Sequence, residues 1–308
     1  MCINDILNLK WEEVDANPLI YPPFPSWFIA DPTFLPPDLT PDHYWHLFAH
    51  SILGIHHYVS FDGMAWNRMP KLVTRFSIRP FLYRENQNYY LFYQRILQMR
   101  FTSYISNIEV RLSKDLTNWS DPIVVFEPSL AWHREGNWLG AVGNPCVVFE
   151  ENQYRLYFSA GLVYLKDCAF YEPKYIGCAY SQRLTGPYLS MASPLLSPRP
   201  DDLYANLGAG AIKLLRCNDG WIGFQNSIYW DQTRDHSGSA IRLLKSSDGI
   251  KWDITGVPVL KPDSGWKKSH VYSLDVRLID GCWPLFFNAR SGWLFGRECI
   301  GLAYGKPS

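Results

Sequence analysis

The sequence lacks an excess of charge of either sign, and it lacks long apolar runs. Among its 308 residues, 29 are Lys or Arg and 29 are Asp or Glu, which gives a formal net charge of zero. The basic residues are dispersed, which argues against nucleic acid or an anionic membrane surface as the main partner. No run approaches the roughly 18 apolar residues of a membrane-spanning helix, so we expect no contact with a membrane.

The seven cysteines never form a C-x-x-C pair, and their number is odd. Several fall in predicted strands, where a free cysteine behaves as a small buried apolar residue. This pattern favours a reducing compartment over secretion. The opening MCINDILNLKWEE has neither the basic region nor the long apolar core of a signal peptide. We therefore expect a cytoplasmic protein.

Several catalytic signatures are missing. The sequence contains no phosphate-binding loop, no dinucleotide fingerprint, no H-E-x-x-H and no G-x-S-x-G. The adjacent His56 and His57 cannot face one metal ion from a strand, because successive side chains point to opposite sides. We therefore predict no metal site and no required cofactor. With 47% hydrophobic residues and no linker or low-complexity stretch, the chain reads as a single domain over residues 1–308.

What the sequence does have is a repeat. The motif Ser-x-Asp-x-x-x-Trp starts at Ser60, Ser113 and Ser246, and a degenerate copy starts at Ser181. Aromatic runs typical of strands precede or follow these motifs, at residues 44–50, 89–95, 154–160, 221–227 and 283–289. Repeats of roughly 50 to 65 residues built from short strands and turns are typical of propeller blades.

The two ends of the chain carry related segments. KWEEVDANPLI at residues 10–20 resembles KWDITGVPVL at residues 251–260, the fourth strand of the fourth repeat. The fifth repeat ends after three strands, and the N-terminal copy can supply the fourth. The sequence therefore predicts an all-β fold, a five-bladed β-propeller whose N-terminal segment closes the last blade.

The predicted first strand of each blade lines a central channel. The residues expected at its mouth are Asp31, Arg79, Asn144, one of residues 209–210 and one of residues 273–275. A proline follows each of the first three and fixes the entry of the strand. Long connections, including residues 94–107, 160–174 and 226–239, are expected as loops on the same face, where function concentrates.

Aromatic rings beside arginine and amide groups suit sugars, which offer apolar C–H faces and hydroxyl edges together. For any single tryptophan, packing between blades is an equal alternative. The candidate substrate-binding residues are Trp27, His50, Arg79, Arg95, Trp138, Asn144, Trp230, His270 and Arg290.

The segment WFIADPTF, the repeated Ser-x-Asp-x-x-x-Trp and the N-terminal closure together resemble the five-bladed propeller glycosidases, the clan that includes glycoside hydrolase families 43, 32 and 117. The resemblance implies that Asp31 activates a water or attacks the anomeric carbon while a second acid donates a proton. It also allows a calcium ion in the channel. The chain departs from the pattern at Ile78-Arg79-Pro80, Gly143-Asn144-Pro145 and Gly208-Ala209-Gly210, where relatives carry acids.

Glycoside hydrolysis ordinarily uses two carboxyl groups, so Asp31 needs a partner. The first candidate is Glu135, because a loop acid beside Trp138 can be desolvated and hold its proton. Asp275 is the second candidate. His133 and His270 are the third, since histidine can also donate a proton near neutral pH.

Three functions remain open, because a propeller can host many activities. The first is a glycoside hydrolase-like enzyme acting on a small glycan or glycoside in the channel. The second is a carbohydrate-binding propeller without catalysis. The third is a phosphorylase or tailoring enzyme in which Arg79 and the Lys267-Lys268 pair receive an anion. Each implies a small carbohydrate as partner and a monomer or small homo-oligomer.

Overall fold

A computed structural model describes residues 1–100, 103–135 and 139–307, without the side chains of residues 100, 103, 135 and 139. The described chain is almost entirely β, which confirms the predicted class. Its α-helix, α1, has five residues, and no helix in these ranges is long and apolar enough to cross a membrane. The helical elements are α1 (Ile3–Leu7) and the 3₁₀ turns Pro37–Leu39, Ala131–His133 and Gly265–Lys267.

The strands pair mainly into antiparallel groups that follow the order of the chain. After β1 (Leu9–Glu13), the first group contains β2 (Ala30–Leu35), β3 (Trp45–Ser51), β4 (Gly54–Ser60), β5 (Asn67–Arg68) and β6 (Thr74–Arg75). The second contains β7 (Ser77–Glu85), β8 (Asn88–Arg100), β9 (Ser103–Ser113) and β10 (Ile123–Phe126). A short separate pair, β11 (Arg134–Glu135) and β12 (Leu139–Gly140), follows.

The remaining groups repeat the same antiparallel order. The third contains β13 (Val142–Glu150), β14 (Gln153–Leu165), β15 (Phe170–Ser181) and β16 (Leu189–Ser190). The fourth contains β17 (Gly208–Cys217), β18 (Gly220–Asp231), β19 (His236–Ser246) and β20 (Asp253–Ile254). The fifth contains β21 (His270–Val276), β22 (Trp283–Arg290) and β23 (Glu298–Pro307).

The N-terminal strand completes the fifth group, as the related terminal segments predict. Strand β1 pairs antiparallel with β23, with Leu9 opposite Pro307 and Glu13 opposite Ala303. The contact continues to Ile20, which forms a bridge with Ile300. The two ends of the chain are therefore joined by backbone hydrogen bonds.

The repeated Ser-x-Asp motif forms the same turn each time. The Ser60 hydroxyl donates to Asp62 at 3.0 Å, and the backbone N–H groups of Met64 and Ala65 donate to the same carboxylate. Equivalent serine-to-aspartate bonds occur at Ser113 and Ser246. The repeat thus encodes tight turns through local side-chain hydrogen bonds.

The core lies between neighbouring groups. Ile29, Phe34 and Leu47 of the first group pack with Phe286 and Ile300 of the fifth. Other buried clusters join the first group to the second, the second to the third and fourth, and the fourth to the fifth. The first strands also contact one another in a circle: β2 touches β7 and β21, β13 touches β7 and β17, and β17 touches β21.

Each first strand carries a bulge at the same position, where two of its residues oppose one on the second strand. The first residue of this bulge is Asp31, Arg79, Asn144 and Tyr272 in the first, second, third and fifth groups. In the first three it has a positive φ, of 52°, 56° and 49° respectively, which is uncommon for arginine in particular. Bulges re-aim side chains near active sites, and they tolerate the prolines that follow these residues.

Two sequence expectations need correction here. The fifth residue of the channel series is Tyr272, one position before the expected range of 273–275. Residues expected as loops at 94–107, 160–174 and 226–239 lie largely in strands, because β8–β9, β14–β15 and β18–β19 extend as long hairpins. Much of the chain that was predicted as loops is therefore paired in strands.

Candidate active site

A cavity of about 900 Å³ opens where the bulges of the first strands converge. Its polar lining includes the candidates Asp31, His50, Arg79, Asn144 and Arg290, so the structure brings these sequence-predicted residues together. Trp27, also predicted, lines the same cavity and is 54% exposed.

Asp31, which is part of this lining, is held by its neighbours. Its backbone N–H donates to Oδ1 of Asn288 at 3.0 Å, and its Oδ2 lies 3.2 Å from Nδ1 of His50. Burial lowers the pKa of His50 to about 4. The charge of Asp31 raises this pKa, and the charge of Arg79 lowers it. His50 is therefore neutral near pH 7. Its Nδ1 accepts from the backbone N–H of Arg79 at 3.3 Å, so it has no proton there for Asp31 and does not neutralise the charge of Asp31.

Arg79, which interacts with the charge of Asp31, has two uncharged hydrogen-bond partners and one acidic neighbour. Its Nη1 donates to Oε1 of Gln94 and to the hydroxyl of Tyr104, both at 3.0 Å. Its Nη2 lies 3.7 Å from Oε2 of Glu172. Burial alone would lower the pKa of Arg79. The interactions with Tyr104, Asp31 and Glu172 outweigh this effect and raise the pKa, so the guanidinium stays charged.

Two buried glutamates, Glu172 on β15 and Glu298 on β23, face the same cavity. Burial raises the pKa of Glu172 to about 7, and the charge of Asp31 adds to this while Arg79 and Arg290 oppose it. Burial likewise raises the pKa of Glu298 to about 8, with the same contribution from Asp31. Both carboxyls can hold a proton at neutral pH, as a general acid requires.

Asn288 connects Glu298 to Asp31. Its Nδ2 donates to Oε1 of Glu298, while its Oδ1 accepts from the N–H of Asp31. Asn288 is 1% exposed, so this amide is fixed in one orientation. A single side chain thus sets the relative position of two of the acids.

The sequence did not single out Glu172, Glu298, Asn288 or Tyr272. The pattern on β22 offered a signal, because Asn288 and Arg290 are two residues apart and so share a face. Glu298 pairs directly with Arg290 on the next strand. Glu172 gave no such signal, because its segment was expected to be a loop.

Other predicted residues lie outside the cavity lining. Asp275 is 4% exposed and accepts from Thr33, from the backbone of Phe34 and from Arg277, so it ties the fifth group to the first. Lys267 pairs with Glu13 and Asp263, so it is not free to receive an anion.

The remaining candidates have structural contacts. Arg95 donates to the backbone of Arg75, and the ring of Trp230 lies under Lys166 at 4.5 Å. His270 is fully buried and stacks on Tyr272. Nδ1 of His133, also buried, accepts from the backbone of Ser129 and Leu130, so it is not placed as a donor to Asp31.

Two further predictions fall at or beyond the limits of the described chain. The backbone of Glu135 pairs with Leu139, but its side chain is not described. Trp138 lies outside the described residues.

The residues of the cavity do not suit a channel calcium ion. Calcium takes six to eight oxygen ligands, and no group of three or more His, Cys, Asp or Glu side chains in the described ranges is placed to hold a metal. Arg79 also brings a positive charge next to Asp31.

Solved structures share the fold along nearly the whole chain, whereas no protein-family model and no curated protein matches the sequence. An α-L-arabinofuranosidase from Podospora anserina, solved with cellotriose, has a TM-score of 0.66 at 13% identity, covering 97% of this chain and 98% of its own. The chain has the fold of the propeller glycosidases.

Two other neighbours show how varied the chemistry on this fold is. One belongs to glycoside hydrolase family 130, a family of mannoside phosphorylases that contains hydrolases of β-1,2-mannosidic linkages in Candida mannan. It has a TM-score of 0.66 at 13% identity, covering 96% of this chain and 93% of its own. The other is an N-acetylgalactosamine deacetylase from F. plautii, with a TM-score of 0.63 at 11% identity, covering 96% and 94%. At such identities the likeness shows the fold alone.

Proposed function

We propose that this chain is a five-bladed propeller enzyme of the glycoside hydrolase type, acting on a small glycan or glycoside in the cavity. The observation that carries the proposal is the convergence of Asp31, Glu172 and Glu298 on one cavity lined by amides, arginines and aromatic rings. Hydrolysis of a glycosidic bond needs one ionised and one protonated carboxyl group.

The circle of contacts among β2, β7, β13, β17 and β21 supports five blades around one axis. The pairing of β1 with β23 would then close the last blade, as in other propellers joined at their ends. In this arrangement the cavity is the mouth of the central channel. A cavity of about 900 Å³ suits a small or terminal sugar.

We assign Asp31 as the general base or nucleophile and Glu172 as the proton donor. Glu172 has an ion-pair contact with Arg79 at 3.7 Å, and a contact with the Tyr272 hydroxyl also lowers its pKa. Glu298 already accepts from Asn288 within the protein. The pKa of Glu172, about 7, lies closer to neutrality than that of Glu298, about 8, and so suits a proton donor at neutral pH.

The rest of the lining fits a sugar. Asn144 and Arg79 present hydrogen-bonding groups from neighbouring bulges, and Trp27 and Phe28 present apolar rings at the mouth. Rings of this kind pack against the C–H faces of sugars, while amides and guanidinium groups bind hydroxyl groups. The protein's own side chains can thus bind and orient the substrate next to Asp31.

A carbohydrate-binding propeller without catalysis is the second candidate. The observation in its favour is that Arg79 and Asn144 occupy two of the bulge positions at which Asp31 stands in the first group. Such a protein would bind the same sugars and turn none of them over.

A panel of aryl glycosides, with and without phosphate, separates these functions. We expect the wild type to release the aryl group from at least one sugar, Asp31→Asn and Glu172→Gln to lose at least about 100-fold of that rate, and exposed Asp38→Asn to retain it. Sugar binding with no turnover by the wild type would support the second candidate. Full activity in Asp31→Asn would refute the assigned role of Asp31.

A further inference from the structure

Arg290, at the end of β22, is a buried cation that lines the cavity. Its side chain is 8% exposed, and its guanidinium carbon lies 5.1 Å from the centre of the Phe170 ring. Its Nε donates to the carbonyl oxygen of Gly292 at 2.9 Å. One edge of the guanidinium is thus bound by the protein, and its two Nη groups remain for other partners.

The surrounding loop fixes this arrangement. The Ser269 hydroxyl contacts the carbonyl oxygens of both Arg290 and Gly292, at 3.1 and 2.9 Å. Gly296 packs so closely that a Cβ there would lie 2.7 Å from Cγ and Nε of Arg290. The Arg290 side chain therefore has little freedom to turn away from the cavity.

Other buried arginines are paired. Arg242 lies 2.7 Å from Asp202, and Arg155 lies 2.7 Å from Glu151. Arg290 forms no ion pair with any carboxylate in the described ranges, and its Nη groups have no hydrogen-bond acceptor there. Burying an unpaired charge is costly, so an acceptor from outside the chain would be favourable at this place.

The two nearby acids are poor counterions. Glu172 and Glu298 both feel the charge of Arg290, yet burial keeps the pKa of each near or above neutrality, at about 7 and about 8. At neutral pH each of these carboxyls therefore holds a proton for part of the time. The guanidinium of Arg290 therefore keeps much of its positive charge uncompensated.

We propose that Arg290 forms an oxyanion subsite, in which its two Nη groups bind a carboxylate carried by the sugar or a free phosphate ion. Guanidinium groups bind both kinds of oxyanion through parallel hydrogen bonds. The subsite rests on the proposed function only in taking the cavity as a sugar site. It makes the preferred ligand either an acidic sugar, such as a hexuronate, or a neutral sugar bound together with phosphate.

Binding of small probes tests this directly by calorimetry, independently of turnover. The probes are inorganic phosphate, glucuronate and galacturonate, with glucose and galactose as neutral counterparts. The proteins are the wild type, Arg290→Gln, Arg290→Lys and Arg84→Gln, the last removing an exposed arginine of β7 that is not part of the cavity. Thermal unfolding shows whether each variant is folded.

We expect the wild type and Arg84→Gln to bind at least one anion and Arg290→Gln to bind it about 10-fold to 100-fold more weakly, since a hydrogen bond to a charged group contributes about 1.5–3 kcal/mol. Arg290→Lys should recover part of the affinity, because the charge remains while the planar geometry is lost. A uronate bound more tightly than its neutral counterpart identifies the sugar carboxylate, and binding of phosphate alone identifies the free ion.

Equal anion binding by the wild type and Arg290→Gln would overturn the subsite. So would the failure of all three anions to bind the folded wild type. If glucose or galactose still binds in that case, or an aryl glycoside is still cleaved, the proposed function survives without the subsite. If anions bind through Arg290 but no glycoside is cleaved, the subsite survives and the catalytic function fails.

Discussion

Nη2 of Arg79 lies 3.7 Å from Oε2 of Glu172, and both side chains are largely buried. This separation exceeds that of a charge-assisted hydrogen bond, which is about 2.7–2.9 Å. Arg79 therefore tunes the acidity of Glu172 through its charge without occupying the carboxyl oxygen. Arg79 stands where the family resemblance implies an acid, so this contact belongs to one of the chain's three departures from that pattern.

The first prediction concerns pH. If Glu172 is the proton donor, kcat/KM should fall above about pH 7, because its pKa is raised to about 7 and the proton is lost beyond it. Arg79 lowers this pKa, so in Arg79→Gln the decline should move to higher pH. The pH–rate profile of each variant measures the pH at which kcat/KM declines, and Arg84→Gln is the control. An unmoved decline in Arg79→Gln would exclude Glu172 as its source.

The second prediction concerns Gly143, which leaves room for Gln94. A Cβ at Gly143 would lie 1.9 Å from Oε1 of Gln94, the atom that accepts from Arg79. Gln94 cannot easily retreat, because it is 1% exposed and also donates to Ser106. Gly143→Ala should therefore release Arg79 and destabilise the fold by about 1–3 kcal/mol.

The companion variant Gln94→Leu removes the same acceptor without adding a Cβ at Gly143. Both variants should shift the alkaline decline of kcat/KM, because both free the Arg79 guanidinium. A loss of stability in Gly143→Ala with wild-type kinetics in both variants would show that Gln94 does not position Arg79.

The third prediction concerns Asn288 as a positioning residue. Asn288→Ala removes both the acceptor for the Asp31 N–H and the donor to Glu298, so kcat should fall by about 10-fold to 100-fold with a smaller change in KM. Asn288→Asp keeps an acceptor for Asp31 but places a negative charge beside Glu298. It should retain more activity than Asn288→Ala. Equal kinetics for the two variants would show that the acceptor for the Asp31 N–H does not determine activity. Asn118→Ala, at an exposed position, serves as the control.

The fold was more predictable than the site, for a physical reason. The Ser-x-Asp turns are local, so their hydrogen bonds can be inferred from adjacent residues, and they set the spacing of the strands. The related terminal segments likewise predicted the pairing of β1 with β23.

The acids of the site depend on distant parts of the chain. Glu172 and Glu298 reach Asp31 only after the groups close on one another, and their pKa values depend on that burial. Asp275 was predicted near the channel from its position in the strand, but the bulge falls at residues 272 and 273, so Tyr272 lines the cavity and Asp275 does not. Neighbouring positions in a strand face opposite sides, so the place of the bulge decides which residues face the channel.

The fourth prediction concerns the closure by β1. Trp11 packs edge-on against Phe224, with ring centres 5.5 Å apart, whereas Lys10 on the same strand is exposed. Trp11→Ala should lower the free energy of unfolding by about 2–4 kcal/mol, because it removes a large half-buried ring, and Lys10→Ala should change it by less than about 0.5 kcal/mol. Urea unfolding measures both. Equal midpoints would mean that β1 adds little to the stability of the fold.

The fifth prediction concerns acid. Burial lowers the pKa of His50, His56 and His133 to about 4 and that of His57 and His270 to about 3. Between pH 6.5 and 4.5, unfolding lets these five histidines take up protons, which favours the unfolded state as the pH falls. The raised pKa values of Glu172 and Glu298 act in the opposite direction, because those two carboxyls release protons on unfolding.

Five protons taken up against two released leave a net uptake of about three, so stability should fall with acid by no more than roughly 4 kcal/mol per pH unit. Urea unfolding at pH 7, 6 and 5 measures this slope. His56→Gln should reduce this slope by the equivalent of about one proton, because the residue no longer titrates. His43→Gln, at an exposed position, should leave the slope unchanged. An equal slope in His56→Gln and the wild type would show that His56 is not a buried neutral histidine in solution.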